Sequence, residues 1–132
     1  MEDSILNTIK RMLGLDESYD AFDIDVITTI NSVMLNLCQL GIGPSTGFVL
    51  TDDSQTWSEL IGSDSNLLAV QTYVYLKTRL LFDPPSSSFV ADAMTKQIAE
   101  LEWRLNLQNE MNQDSKSVER GNNVRSKLYR AV

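Results

Sequence analysis

The stretch "YLKTRLLFDPPSSSFVADAM", residues 75–94, decides the fold. An apolar helical run stops at Asp83-Pro84-Pro85, and a second run begins a few residues later. The residue before a proline is pushed out of the α region, and neither proline can donate into a helical ladder. The serines that follow supply a cap for the next helix. A joint this short folds its two helices back as an antiparallel hairpin. Its prolines also reduce the freedom of the unfolded chain, which favours one fixed geometry.

The first arm of the hairpin covers residues 65–82. Leu67, Val70, Val74 and Leu81 make one apolar row, and Leu68, Tyr75 and Phe82 make another. Leu76 and Leu80 fill in between, and so wide an apolar surface implies burial on more than one side. The second arm covers residues 88–109. Val90, Met94, Ile98, Leu101 and Leu105 recur at helical spacing, and Glu100 stands four residues before Arg104 in the favourable order.

Two more helices precede the hairpin. Ile5, Leu6, Ile9, Met12 and Leu13 form a stripe over residues 3–13, with Asp3 or Ser4 as cap and Gly14 as terminator. Residues 23–40 carry Ile24, Ile27, Ile30, Met34, Leu37 and Cys38 on one side. Val26, Val33 and Leu40 widen that face, so this helix is expected at the centre, with Asp23 as cap and Gly41 closing it. "GIGPSTG" (41–47) is a loop that needs unusual backbone angles. "FVL" (48–50) and "TW" (56–57) read as two very short strands around a turn, or as an extended loop pinned by Phe48 and Trp57; "SELIG" (58–62) is at most one helical turn. The fold class is therefore mainly α: a small helical bundle with a hairpin, a short two-stranded β element and a C-terminal tail.

The division of charge follows the same plan. Residues 1–110 hold 6 basic and 16 acidic residues, a balance of −10, whereas residues 111–132 hold 5 basic and 2 acidic, a balance of +3. We read 1–110 as one helical domain and 111–132 as a tail that is mobile when the protein is alone. The tail is polar and contains Gly121-Asn122-Asn123, yet ends in "LYRAV". Leu128, Tyr129 and Val132 can serve as a docking segment, and Arg120, Arg125, Lys127 and Arg130 can engage acidic groups. The bland reading of the same residues is a solvated terminus. No window approaches the ~20 apolar residues of a membrane span, and the acidic start lacks the features of a signal peptide. With one cysteine there is no internal disulfide, and the chain reads as soluble and intracellular in origin.

The inventory for chemistry is sparse. With no histidine in the chain, Ser-His and Cys-His nucleophile pairs and histidine metal sites are excluded. Cys38 lies on an apolar helix face, as a small core residue does. Asp20, Asp23 and Asp25 lack the glycine and distal glutamate of a calcium loop, and capping explains them more simply. Asp52 and Asp53 read as turn residues. "GIGPSTG" lacks the Gly-Lys-Ser/Thr ending of a phosphate loop and follows a helix. Trp103, beside Arg104, reads as packing or interface. No catalysis, cofactor or metal is expected.

Three stretches together, "INSVMLNLCQLGIGPSTGF" (30–48), "TWSELIG" (56–62) and "TYVYLKTRLLFDPPSSSFVADAMTKQIAELEWRLNLQNE" (72–110), resemble the head-tail connector (adaptor) proteins of long-tailed bacteriophages. The most specific signal is "YLKTRLLFDPP" followed by "QIAELEWRLN". The resemblance implies a structural virion protein at the head-tail interface, present in the host cytoplasm during assembly. It implies a ring of about twelve copies below the portal protein, closed by heterologous contacts. Such a ring extends the DNA channel and receives the next neck or tail-completion protein. DNA passes through without sequence-specific binding, which suits an acidic body. The resemblance also implies that the C-terminal segment packs against the portal on assembly. The competing reading is a nucleic-acid-binding helical protein, such as a packaging-initiation subunit or small regulator; the basic tail favours it, and the −10 body counts against it. A small enzyme is the third reading, opposed by the empty catalytic inventory.

Overall fold

The computed structural model describes residues 4–62 and 66–107 and is mainly helical. Its elements are α1 (Ile5–Met12), α2 (Asp23–Gln39), α3 (Trp57–Ile61), α4 (Leu67–Phe82) and α5, helical over residues 88–107. Among α1 to α4, the closest pairing is α2 with α4, and α1 packs on both.

Local chemistry accounts for the boundaries. Ser4 caps α1, its hydroxyl accepting from the Asn7 amide at 3.2 Å. Both α1 and α2 end in the same way. After α1, the Gly14 amide donates to the Arg11 carbonyl and the Leu15 amide to the Lys10 carbonyl; after α2, Gly41 donates to Cys38 and Ile42 to Leu37. This paired closure requires a left-handed residue at the glycine, and φ is +83° at Gly14 and +82° at Gly41. Ile42 then turns back into the core. Asp83 has φ −144° and ψ 71°, outside the α region, as the following Pro84 demands. Ser87 caps α5: its hydroxyl accepts from the Val90 amide, and its carbonyl from the Ala91 amide.

The five-residue joint turns α5 back along α4. Lys77 near the middle of α4 lies 3.8 Å from Glu102 late in α5, and Met94, Ile98 and Leu105 enter the same core as Val70, Tyr73 and Val74. The hairpin expected from Pro84-Pro85 is therefore formed.

Four expectations are corrected. Of the two readings of 48–57, the strand pairing does not form and the extended loop pinned by Phe48 and Trp57 does; among the described residues the sole bridge joins Ser4 to Thr56. Side chains hold the loop instead. Asn31 of α2 accepts from the Leu50 amide at 2.7 Å and donates to the Leu50 carbonyl at 3.0 Å, taking the place of a neighbouring strand. Leu50 and Trp57 are buried, Phe48 packs partly against the core, and the Trp57 indole donates to Thr8. Second, α3 is a short helix, because Thr56 caps it through the Glu59 amide. Third, Asp23 does not cap α2: Phe22 is the N-cap, and the Asp23 carboxylate, at the first helical position, faces Lys10. Fourth, the wide apolar face of α4 is only partly buried, since Leu68 is 76% and Leu81 61% exposed. Exposed Ile24, at 80%, departs in the same way from the apolar side expected of α2.

Two consequences are testable. Asn31→Ala removes both partners of the Leu50 backbone, so a loss of about 2 kcal/mol is expected in urea unfolding, the cost of two buried groups losing their bonds. Tyr73 is fully buried and its hydroxyl has no hydrogen-bond partner. Burial, and secondarily the negative Glu102, push its phenol well above the ordinary tyrosine range. Below the unfolded tyrosine value the phenol is neutral in both states and makes no pH-dependent difference; above it the unfolded chain ionises first, so stability falls as pH rises. Tyr73→Phe removes an unsatisfied group, so stability equal to or up to about 1 kcal/mol above the parent is expected, with greater tolerance of alkaline pH.

Candidate assembly surface

The surface is organised from beneath by one cation. Lys10 sits in the last turn of α1, and helical spacing places it between Leu6 and Leu13 on the inward face. Its side chain is 1% exposed. The ammonium donates to the Glu17 carbonyl at 3.0 Å and the Tyr19 carbonyl at 2.8 Å, and pairs with the Asp23 carboxylate at 2.7 Å. The two carbonyls take two of its three donors, and the carboxylate balances its charge. The loop between α1 and α2 is thereby fastened at three points.

That fastening presents an aromatic edge. Tyr19 and Phe22 meet edge-on with centroids 5.8 Å apart, and Phe22 meets Phe82, at the end of α4, at 5.9 Å. These separations fall within the attractive range for aromatic pairs. Tyr19 and Phe22 are nevertheless 51% and 42% exposed. The contact also sets direction: the start of α2 meets the end of α4, so the two helices run antiparallel. Exposed Leu35 of α2 and Leu68 of α4 consequently lie toward the opposite end, about 20 Å along each helix. Exposed apolar groups thus fall at two ends of the bundle, with different residues at each. On α5, Trp103 is also largely exposed.

Acids flank Tyr19 and Phe22 along the chain. Arg11 pairs with Glu17 and Lys10 with Asp23, whereas among the described residues Asp16, Asp20 and Asp25 have no ion-pair partner. The Ser18 hydroxyl and amide donate to Asp16 and hold its carboxyl below the usual aspartate range; Ser54 does the same for Asp52. A lowered carboxyl contributes stability above its unfolded value and loses it as pH falls through the folded one, so Asp16 keeps its charge into mild acid.

The remaining sequence candidates are placed as follows. Arg120, Arg125, Lys127, Leu128, Tyr129, Arg130 and Val132 lie outside the described residues. Among the described residues no group of His, Cys, Asp or Glu side chains is arranged to hold a metal ion, and no helix is long and apolar enough to cross a membrane. Sequence reasoning missed Lys10 and the Tyr19–Phe22–Phe82 edge. The signal for Lys10 was its position within the α1 stripe.

Comparison with known proteins gives one assignment. Residues 5–112 match the family model described as phage connector protein. No curated protein and no solved structure matches the chain. The family is one of structural virion connectors, not a known enzyme family, and it carries the expectation of contacts with other phage head or tail proteins. The match covers most of the chain, the helical fold agrees with it, and the chain belongs to the phage connector protein family.

Proposed function

We propose that this connector is an adaptor subunit of the neck, forming a ring of about twelve copies below the portal protein. The family match over residues 5–112 carries the reading. In this role the ring extends the DNA channel and offers its lower face to the next neck or tail-completion protein. The body, residues 1–110, builds the ring; residues 111–132 dock on the portal or a neighbouring copy through Arg120, Arg125, Lys127, Leu128, Tyr129, Arg130 and Val132. Subunits assemble from the host cytoplasm onto the filled head.

A closed heterologous ring needs two unlike surfaces on each subunit, and the exposed apolar groups at opposite ends of α2 and α4 supply such a pair. An acidic channel wall lets DNA slide, because it offers few cations to phosphate. Each contact is repeated around the ring, so modest pairwise affinity suffices. Native mass spectrometry with and without portal rings tests the reading. Free chain is expected as monomer or a loose ring, and a closed ring is expected on the portal. A stable dimer indifferent to portal contradicts it.

A further inference from the structure

We infer that the acidic aromatic edge of Tyr19, Phe22 and Phe82 receives the basic C-terminal segment, residues 124–132, of a second copy of this chain. The inference rests on the ring reading and names the surface that the tail meets between subunits.

The two parts are complementary in both polarity and charge. The edge exposes Tyr19 and Phe22 on a stretch that also carries exposed Asp16, Asp20 and, in the first turn of α2, Asp25, none of which has an ion-pair partner among the described residues. The segment "VRSKLYRAV" interleaves Arg125, Lys127 and Arg130 with Leu128, Tyr129 and Val132, and no acid follows Glu119. Guanidinium groups stack on aromatic faces and pair with carboxylates, so one segment can satisfy both features of the edge. The −10 balance of residues 1–110 against +3 in residues 111–132 draws them together at long range.

Placement at opposite ends of the subunit fits a second copy. The edge lies beside Phe82, at the joint end of the hairpin. Residue 107 lies at the other end of α5, about 30 Å away after twenty helical residues. The sixteen residues 108–123 can span at most about 55 Å, so length allows either the subunit's own edge or a neighbour's, and it is the head-to-tail repeat of a ring that selects the neighbour. Each copy then gives a tail at one end and takes one at the other, which is the head-to-tail relation that a ring repeats.

The test uses full-length chain with Tyr129→p-benzoylphenylalanine, mixed as isotopically heavy and light populations at concentrations high enough to associate, then irradiated and mapped by mass spectrometry. Heavy–light adducts joining position 129 to residues 16–25 or 81–83 are expected. Asp20→Lys with Asp25→Lys should lower their yield about tenfold at low salt, and adding Arg125→Glu with Arg130→Glu should restore it. Circular dichroism confirms that each variant keeps its helices. Adducts only within one population mean the tail meets its own edge, and adducts elsewhere, or none, mean the edge is not its receptor; either overturns the inference. If these adducts are missing while the chain still rings on portal in native mass spectrometry, the inference fails and the adaptor reading stands. If no ring forms on portal, the adaptor reading itself fails.

Discussion

Lys10→Met is expected to destabilise the fold by about 3 kcal/mol, the low end of the cost of removing one member of a buried ion pair. The estimate is built from the surroundings of the ammonium. Its side chain is 1% exposed, whereas Asp23 is 28% exposed, so the carboxylate left behind recovers part of its hydration. The Glu17 and Tyr19 carbonyls lose their donor as well, and the loop has to move to offer them water. For a body of this size such a loss lowers Tm by roughly 12 °C. Because the pair is sheltered, added salt should change the effect little. The double variant Lys10→Met with Asp23→Leu should recover more than half of the loss, since replacing both partners by apolar groups removes the stranded charge. A drop in stability below about 0.5 kcal/mol for Lys10→Met would mean that the loop is fixed by its other contacts. The functional consequence follows from position. Lys10 fastens the carbonyl of Tyr19 and the first residue of α2, so the variant should also loosen the Tyr19–Phe22–Phe82 edge and weaken association between copies even where the helices survive.

What could be read from sequence follows the range of the forces involved. The hairpin, the caps at Ser4 and Ser87 and the closures at Gly14 and Gly41 are set by residues within a few positions of one another, so local rules reach them. The central place of α2 follows from its broad apolar face, which must be covered by another element. The failures involve longer range. "FVL" and "TW" have strand-like composition, but Asn31, nineteen residues from Leu50, satisfies the backbone that a partner strand would have paired. Lys10 was legible as a cation on an apolar stripe, while its partner Asp23 lies thirteen residues away across a loop with no regular period. The aromatic edge needs Phe82 brought against Phe22, which only the assembled bundle accomplishes. Exposed Leu68 and Leu81 depart from the burial expected of the wide α4 face, because periodicity reports which side a residue occupies and not what covers it. For a family of assembling subunits, that surplus of apolar surface is where a monomer's sequence pattern and its own burial should part company.

Ending the chain after Asn109 is expected to leave the helical body folded and to abolish stable docking on the portal. The deleted stretch holds Arg120, Arg125, Lys127 and Arg130 with Leu128, Tyr129 and Val132, while the caps and core contacts described for α1 to α4 are made by residues 4–105. Circular dichroism and the unfolding midpoint should therefore stay close to those of the full chain. Docking should respond far more strongly, because the proposed ring would multiply a small change. A loss of about 1.4 kcal/mol at each subunit is only tenfold for one contact, yet it recurs at every position of the ring. Single charge removals in the tail should be mild and salt-sensitive, since rim charges act chiefly on encounter and orientation. Leu128→Ala with Tyr129→Ala should come closer to the full deletion, because apolar anchors carry more of a contact than its charged rim. In infected cells the truncated protein should give filled heads that lose DNA or fail to acquire tails. Sedimentation of portal rings with full-length and truncated chain decides the matter directly: if both bind with equal affinity, the tail is a solvated terminus, and docking must come from the apolar ends of α2 and α4 alone.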